Sequence, residues 1–273
     1  CALPICDEEK NTLDVTFMAT DVPAIGYKVF DVREEDAASR TTPLKVDEEN
    51  LTFENNYLKM KINPETGYIS SLQYRDGDSW REAFAQNVGT EGAELHVYKD
   101  TEVRPPQNFD VWELNASEMN KEPDWIVDGA PKSISIIENT PEKVTVRVVK
   151  EWSGSEIAQD MTLYADSDRV DVHLSADWYQ QKRLLKVSFP ILADTDVATY
   201  ETSYGAVERP TDRLNDFEKA RYEVPGHKWM DVTDESGEYG VSLLNDAKYG
   251  FDSLRRTLGG TTFVRSRITV ART

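Results

Sequence analysis

Apolar and polar residues alternate along most of this chain with a period of two, the signature of half-buried strands. "SISIIENTPEKVTVRVVKEW" (133–152) alternates, turns at Asn-Thr-Pro-Glu, and continues in β-branched residues, which predicts a hairpin. "LTFENNYLKMKINPETGYISSLQYRDG" (51–77) puts Leu58, Met60 and Ile62 on one face and turns at "NPETG"; its return strand is predicted over Tyr68 to Tyr74. The turn suits its residues, because Pro fixes φ and Gly accepts positive φ. "DMTLYADSDRVDVHLSADW" (160–178) predicts a third hairpin, turned at Asp166-Ser167-Asp168. Helical spacing is scarce. "GDSWREAFAQNV" (77–88) predicts one short helix capped at Asp78 or Ser79, and "DRLNDFEKARYEV" (212–224) a turn or two. No strand–helix alternation suggests a parallel sheet, so the fold class is all-β: a large, mostly antiparallel sandwich.

The ends differ from the middle. "LDVTFMATDVPAIGYKVFDV" carries two strand-like runs around Val22-Pro23, and "REEDAASRTTPLKV" is a polar connector. Residues 1–33 are taken as the end of a preceding small β unit, 34–44 as a linker and 45–273 as the sandwich. After Asp252 the chain holds five arginines and no acid, an atypical tail over 253–273.

At 273 residues the chain can bury a real core, and 39% hydrophobic residues argue against disorder. Fifty acidic against 31 basic residues give a formal charge of −19, which disfavours nucleic acid and anionic membrane surfaces as partners. A neutral sugar feels little of that repulsion. No apolar run approaches the roughly 18 residues of a spanning helix. Cys1 and Cys6 are the two cysteines, so no disulfide scaffold is expected and a reducing cytoplasm is the default location. Asn50-Leu51-Thr52 and Asn115-Ala116-Ser117 match a glycosylation pattern common by chance. The chain starts at Cys1 without Met, as a fragment or a trimmed chain would.

Few motifs carry chemistry. His96, His173 and His227 stand far apart, and Asp171 with His173 lies on what reads as a solvated strand face, so no metal site is expected here. Gly-x-Ser-x-Gly and phosphate-binding loops are absent. Fifty acids make carboxylate pairing uninformative. Asp110 with Trp112, and Asp177 with Trp178, are acid–aromatic neighbours of the kind sugar sites use. His227 and Trp229 are spaced to share a strand face. Tryptophan in a β sandwich is more often core than ligand platform. The densest stretch is "YGAVERPTDRLNDF" (204–217), followed by "ARYEVPGHKWMD" (220–231).

An ordered series of segments resembles the C-terminal half of the α-mannosidases of glycoside hydrolase family 38, of the cytosolic and microbial type. It comprises "DVPAIGYKVF", "FENNYLKMKINPETGYISSL", "HVYKD", "FDVWEL", "IAQDMTLY", "VDVHLSADWYQQKRLLKVSFP", "YGAVERPT", "ARYEVPGHKWMDV" and "YGVSLLNDAKYGFD", and runs from about residue 20 to 252. The resemblance implies a β supersandwich like that of galactose mutarotase. It also implies that zinc and the aspartate nucleophile belong to an N-terminal β/α barrel that has no counterpart in this sequence. No cofactor is therefore expected in this chain, and zinc is expected in the absent domain. Arg209 matches an arginine that reaches from the sandwich toward the barrel's sugar site; His227 is the second candidate for substrate binding. The implied partners are a mannose-containing oligosaccharide, met through the full-length retaining enzyme, and the catalytic barrel of the same polypeptide. A homo-oligomer stays open. The tail departs from the family's pattern, although "TTFVRS" resembles one of its strands.

Two other readings stand beside this one. A free-standing carbohydrate-binding module would use Trp112, Trp178 and Trp229. A mutarotase-like epimerase would need an acid and a base at the anomeric oxygen, with His227 and Glu208 or Glu223 as the local candidates.

Overall fold

In a computed structural model, residues 3–7, 12–17, 19–32, 42–100, 116–256 and 261–268 are described. Every strand pair among them is antiparallel. β1 (Leu3–Asp7) and β2 (Thr12–Thr16) form a small sheet of their own. β3 (Lys45–Asp47), β4 (Thr52–Glu54), β5 (Leu58–Ile62), β6 (Ile69–Asp76) and β7 (Ser79–Glu82) form a five-stranded meander in sequence order. After β8 (Glu94–Lys99), a short helix α1 (Ala116–Met119) and β9 (Trp125–Ile126), a second meander is formed. It consists of β10 (Ser133–Asn139), β11 (Lys143–Trp152), β12 (Ser155–Tyr164) and β13 (Val170–Asp177). β14 (Arg183–Ile191), β15 (Val197–Thr202), β16 (Gly205–Pro210), α2 (Asp216–Lys219), β17 (Val224–Pro225), β18 (Trp229–Thr233) and β19 (Gly240–Leu244) come next, then β20 (Gly250–Arg256) and β21 (Thr261–Ile268). A six-stranded sheet ordered β17-β20-β21-β14-β8-β9 and a four-stranded sheet ordered β16-β15-β18-β19 complete the architecture.

The three hairpins expected from alternation are present as β5–β6, β10–β11 and β12–β13. Their inward residues build the main core. Phe53, Met60 and Ile62 of the first meander meet Val146, Val148, Met161 and Leu163 of the second. Leu95, Val97, Leu185 and Val187 of the six-stranded sheet close the same cluster. Asn55 ties the two meanders at one corner: its amide donates to the carbonyls of Tyr164 and Ser167, and its Oδ1 accepts from the backbone of Tyr57 and Leu58. A second core forms where Tyr200, Met230 and Val232 pack on Phe251 and Val264.

Two expectations fail. Residues 77–88 form no helix; the chain turns back at Gly77-Asp78 and Ser79–Glu82 becomes β7. Gly77, at φ +56, supplies the positive φ that a two-residue hairpin turn needs, and Arg75 lies over the Trp80 ring across the pair at 5.1 Å. That turn outweighs the helical spacing. Of the two runs flanking Val22-Pro23, the first contributes β2, whereas residues 19–32 carry no strand and leave Ile25, Tyr27 and Val29 exposed. In the arginine-rich tail, where "TTFVRS" resembles a family strand, β20 runs to Arg256 and β21 lies inside the six-stranded sheet, between β20 and β14. Residues 269–273 and most of the 34–44 connector lie outside the described residues.

Of the turn or two expected over 212–224, one forms, as α2. Asn215 caps it, accepting from the Glu218 amide, while the Glu218 carboxylate accepts from the backbone of Leu214 and Asn215.

Candidate functional site

Arg209 sits near the end of β16, an edge strand that pairs with β15 so that Arg209 faces Ala198 and Val207 faces Tyr200. Pro210 is tolerated because an edge strand needs no amide there. The next residue anchors the segment: Thr211 is buried, its amide donating to the Asp196 carbonyl and its hydroxyl to that of Thr195. With the backbone fixed on both sides, the Arg209 side chain lies over the Tyr200 ring, 4.8 Å from its centroid, and donates Nη1 to the Pro225 carbonyl at 2.9 Å. Tyr200 is itself fixed by a 2.8 Å hydrogen bond between its hydroxyl and Ser253 Oγ. Burial pushes the Tyr200 phenol up to about 12. Gly226 lets the β17 segment approach, since a Cβ there would meet the Phe251 ring at 2.8 Å.

Neither Glu208 nor Asp212 pairs with Arg209. Asp212 is instead 3.6 Å from Arg255, which also holds Asp194 at 2.6 Å. Among the described residues no carboxylate lies within 4.0 Å of Arg209. Burial pushes its guanidinium below the ordinary value; Tyr200 works in the opposite sense, and Arg221 adds to the fall. Arg209, Arg213, Arg221, Tyr200, Glu218 and Asp252 line a cleft enclosing about 10 Å³, the room a single water needs. It is a wall with a notch rather than a sugar-sized pocket.

His227 stands two residues after the carbonyl that Arg209 holds. Its amide donates to the Glu201 carbonyl, and its ring lies 6.0 Å from that of Tyr249. No hydrogen bond or ring contact joins the side chains of His227 and Arg209 among the described residues, and none joins His227 to Glu208 or Glu223. His227 is not on a strand shared with Trp229, because β18 begins at Trp229. Trp178 stacks on Trp152 at 5.6 Å and 13°, and Trp152 tilts against Trp125 at 6.1 Å. One face of Trp178 is thereby spent inside the protein. Trp112 and Asp110 lie outside the described residues.

The structure adds a cluster that the sequence alone did not single out. On the face of the six-stranded sheet opposite Leu185 and Val187, Lys186 is buried and holds two carboxylates, Asp252 at 2.5 Å and Glu223 at 2.8 Å. Lys186 pairs in register with His96, whose Nε2 lies 2.6 Å from Glu94 Oε1. Asp252 links this interior network to the floor of the Arg209 cleft. The signal was present in "ELHVYK" and "RLLKVSF", where polar residues recur at every second position of strands buried on both faces.

The three histidines occupy three separate places: His96 inside the sheet, His173 on the exposed face opposite Asp160, and His227 beside Tyr249. They do not assemble into a zinc ligand set, and among the described residues no group of three or more His, Cys, Asp or Glu side chains is placed to hold a metal ion. Among the same residues no helix is long and apolar enough to cross a membrane.

Comparison with known proteins agrees with this architecture. α-Mannosidase G of Dictyostelium discoideum is 30% identical over 215 residues, covering 77% of this chain and 18% of that protein. An α-mannosidase of Saccharomyces cerevisiae is 29% identical over 218 residues, covering 74% and 19%. The chain thus spans about a fifth of the length of these curated relatives. A crystal structure of an α-mannosidase from Enterococcus faecalis V583 superposes with a TM-score of 0.61 at 15% identity, over 83% of this chain and 26% of that one, and so shares the fold. Residues 53–264 match the family model described as the glycosyl hydrolases family 38 C-terminal domain, and the chain belongs to that family.

Proposed function

We propose that this chain is the non-catalytic C-terminal sandwich of a retaining α-mannosidase, framing the sugar pocket of a catalytic barrel elsewhere in the same polypeptide. One observation carries the assignment. Arg209 is held rigidly by a carbonyl and an aromatic ring, both neutral, so the rest of its donor fork is not committed to any acid among the described residues. A guanidinium held in this way presents fixed donors to sugar hydroxyls at little further entropic cost. The relatives named α-mannosidase supply the reaction class.

The two rival readings find less support. The stacking of Trp178 on Trp152 removes one platform from a free-standing sugar-binding module. For an epimerase, Glu223 is engaged by Lys186 and Glu208 is exposed on the edge strand, so neither forms an acid–base pair with His227.

The test is Arg209→Ala in the polypeptide that joins this chain to its barrel, assayed on an α-mannoside. Loss of a charged hydrogen bond is worth roughly 1.5–3 kcal/mol, so kcat/KM should fall by about 10- to 100-fold. An unchanged kcat/KM removes Arg209 from the sugar site.

A further inference from the structure

We infer that residues 27–32 are an unpaired β-strand, built to complete a sheet with strands from the rest of the same polypeptide. Seven of the 17 large apolar side chains left exposed among the described residues fall within residues 17–32. Tyr27 is 84% exposed, Val29 and Val32 76% each, and Ile25 is fully exposed. Such a concentration on one short segment marks an interaction surface.

The sequence "YKVFDV" (27–32) favours a strand. Tyr, Val and Phe are strong β formers, and alternation assigns Tyr27, Val29 and Asp31 to one face and Lys28, Phe30 and Val32 to the other. The structure places this run as the returning arm of a hairpin without giving it a ladder. The chain turns at Ala24-Ile25, and the Phe30 ring then packs on Phe17 with centroids 5.0 Å apart. Lys28 donates to the Thr20 carbonyl at 2.9 Å. Residues 17 and 20 thus lie beside 30 and 28, in antiparallel order, just past the end of β2. No backbone hydrogen bond joins the two arms among the described residues. Ile25 takes φ +55, a costly conformation for a β-branched residue, and its exposed side chain makes no packing that offsets the cost.

Physical grounds separate the possible partners. The sandwich is not the partner, because no strand of the other four sheets pairs with β1, β2 or residues 19–32 among the described residues. The connector that follows, "REEDAASR" (33–40), carries five charges in eight residues and has no apolar face to offer. A second copy would bring together two chains of formal charge −19. Strands of the same polypeptide carry neither difficulty. The chain spans about a fifth of the length of its α-mannosidase relatives, and covalent linkage gives such strands a high effective concentration. β1 and β2 call for the same partner, since a two-stranded sheet is marginal alone and needs a third strand with an apolar face. The matching segment is extended and sets β-branched or aromatic side chains against Tyr27 and Val29. Its identity rests on the reading of this chain as part of a longer α-mannosidase; the unpaired strand does not.

Hydrogen exchange of the amides of residues 27–32, read by mass spectrometry, tests this in the purified chain and in the polypeptide that joins it to its barrel. We expect exchange near the unprotected rate in the chain alone, and roughly 100-fold slower exchange in the joined polypeptide. Tyr27→Asp combined with Val29→Asp should restore fast exchange in the joined polypeptide. The same pair should leave the urea midpoint of the purified chain unchanged, because neither side chain is buried there. Equally fast exchange in the two proteins overturns the inference, as does protection that survives both aspartates. Slow exchange in the chain alone overturns it too: concentration dependence would make the partner a second copy, and its absence would make the partner the sandwich. The sugar site fails separately, since an unchanged kcat/KM in Arg209→Ala with these amides still protected would refute that role and leave the strand's partner standing.

Discussion

The two faces of the six-stranded sheet are made by the same strands and do opposite things. On one face Leu95, Val97, Leu185 and Val187 disappear into the main core. On the other, the alternate residues Glu94, His96, Lys186 and Ser188 are equally buried, yet polar or charged. Burying apolar surface is favourable without conditions on direction, whereas burying a charge is tolerable only with a partner in place. The apolar face therefore sets stability through packing, and the polar face through completeness of its pairs.

This contrast is open to attack from both sides. The largest effect is expected from Lys186→Met, which leaves Asp252 and Glu223 facing each other inside the sheet. Breaking a buried pair in this way costs about 3–5 kcal/mol, to be read from urea denaturation. On the opposite face Leu185→Ala should cost about 2–5 kcal/mol through lost contacts and a cavity. If Lys186→Met instead proves neutral, the charged cluster does not constrain stability.

Gly226→Ala probes the seam between the polar face and the Arg209 cleft. Its Cβ would press on Phe251 at 2.8 Å and reach Tyr200 at 3.4 Å, the ring on which Arg209 lies. Overpacking of this kind costs about 1–3 kcal/mol, to be read from urea denaturation.

A smaller effect comes from Lys150, a cation buried on β11 that donates to the Thr66 carbonyl at 2.6 Å and lies 3.9 Å from the Tyr68 ring centroid. Unlike Lys186, it has no carboxylate in contact among the described residues, and burial lowers its pKa from 10.5 to about 8. The folded chain therefore releases this proton before the unfolded chain does. Wild-type stability, relative to Lys150→Met, should rise as pH increases from about 8 to 10.5 and stay level below that range. A gap that does not change with pH would show Lys150 to be solvated in the native state.

The legible part of this fold was the part with one wet face. The hairpins β5–β6, β10–β11 and β12–β13 could be read because their outward residues are polar and their turns carry Pro, Gly or Asp. β8 and β14 were harder, because strands covered on both faces lose the contrast that alternation depends on. Lys186 in "RLLKVSF" looks like a charge breaking an apolar run until Asp252, 66 residues later, is brought to it. Residues 77–88 misled for a local reason, the competition between helical spacing and a glycine turn. In the site, Arg209 could be singled out from the Arg-Pro-Thr segment and the family resemblance. That it lacks an acidic partner among the described residues depends on Glu218, Asp212 and Asp252 each finding another, which no spacing in the sequence reveals.

The central claim is that this chain frames a sugar site and does not itself hydrolyse mannosides. The most direct measurement is hydrolysis of an aryl α-mannoside by the purified chain alone, with zinc added and, in parallel, with chelator. No turnover above the buffer rate is predicted in either condition. Turnover that scales with the concentration of the chain, in either condition, would contradict the claim.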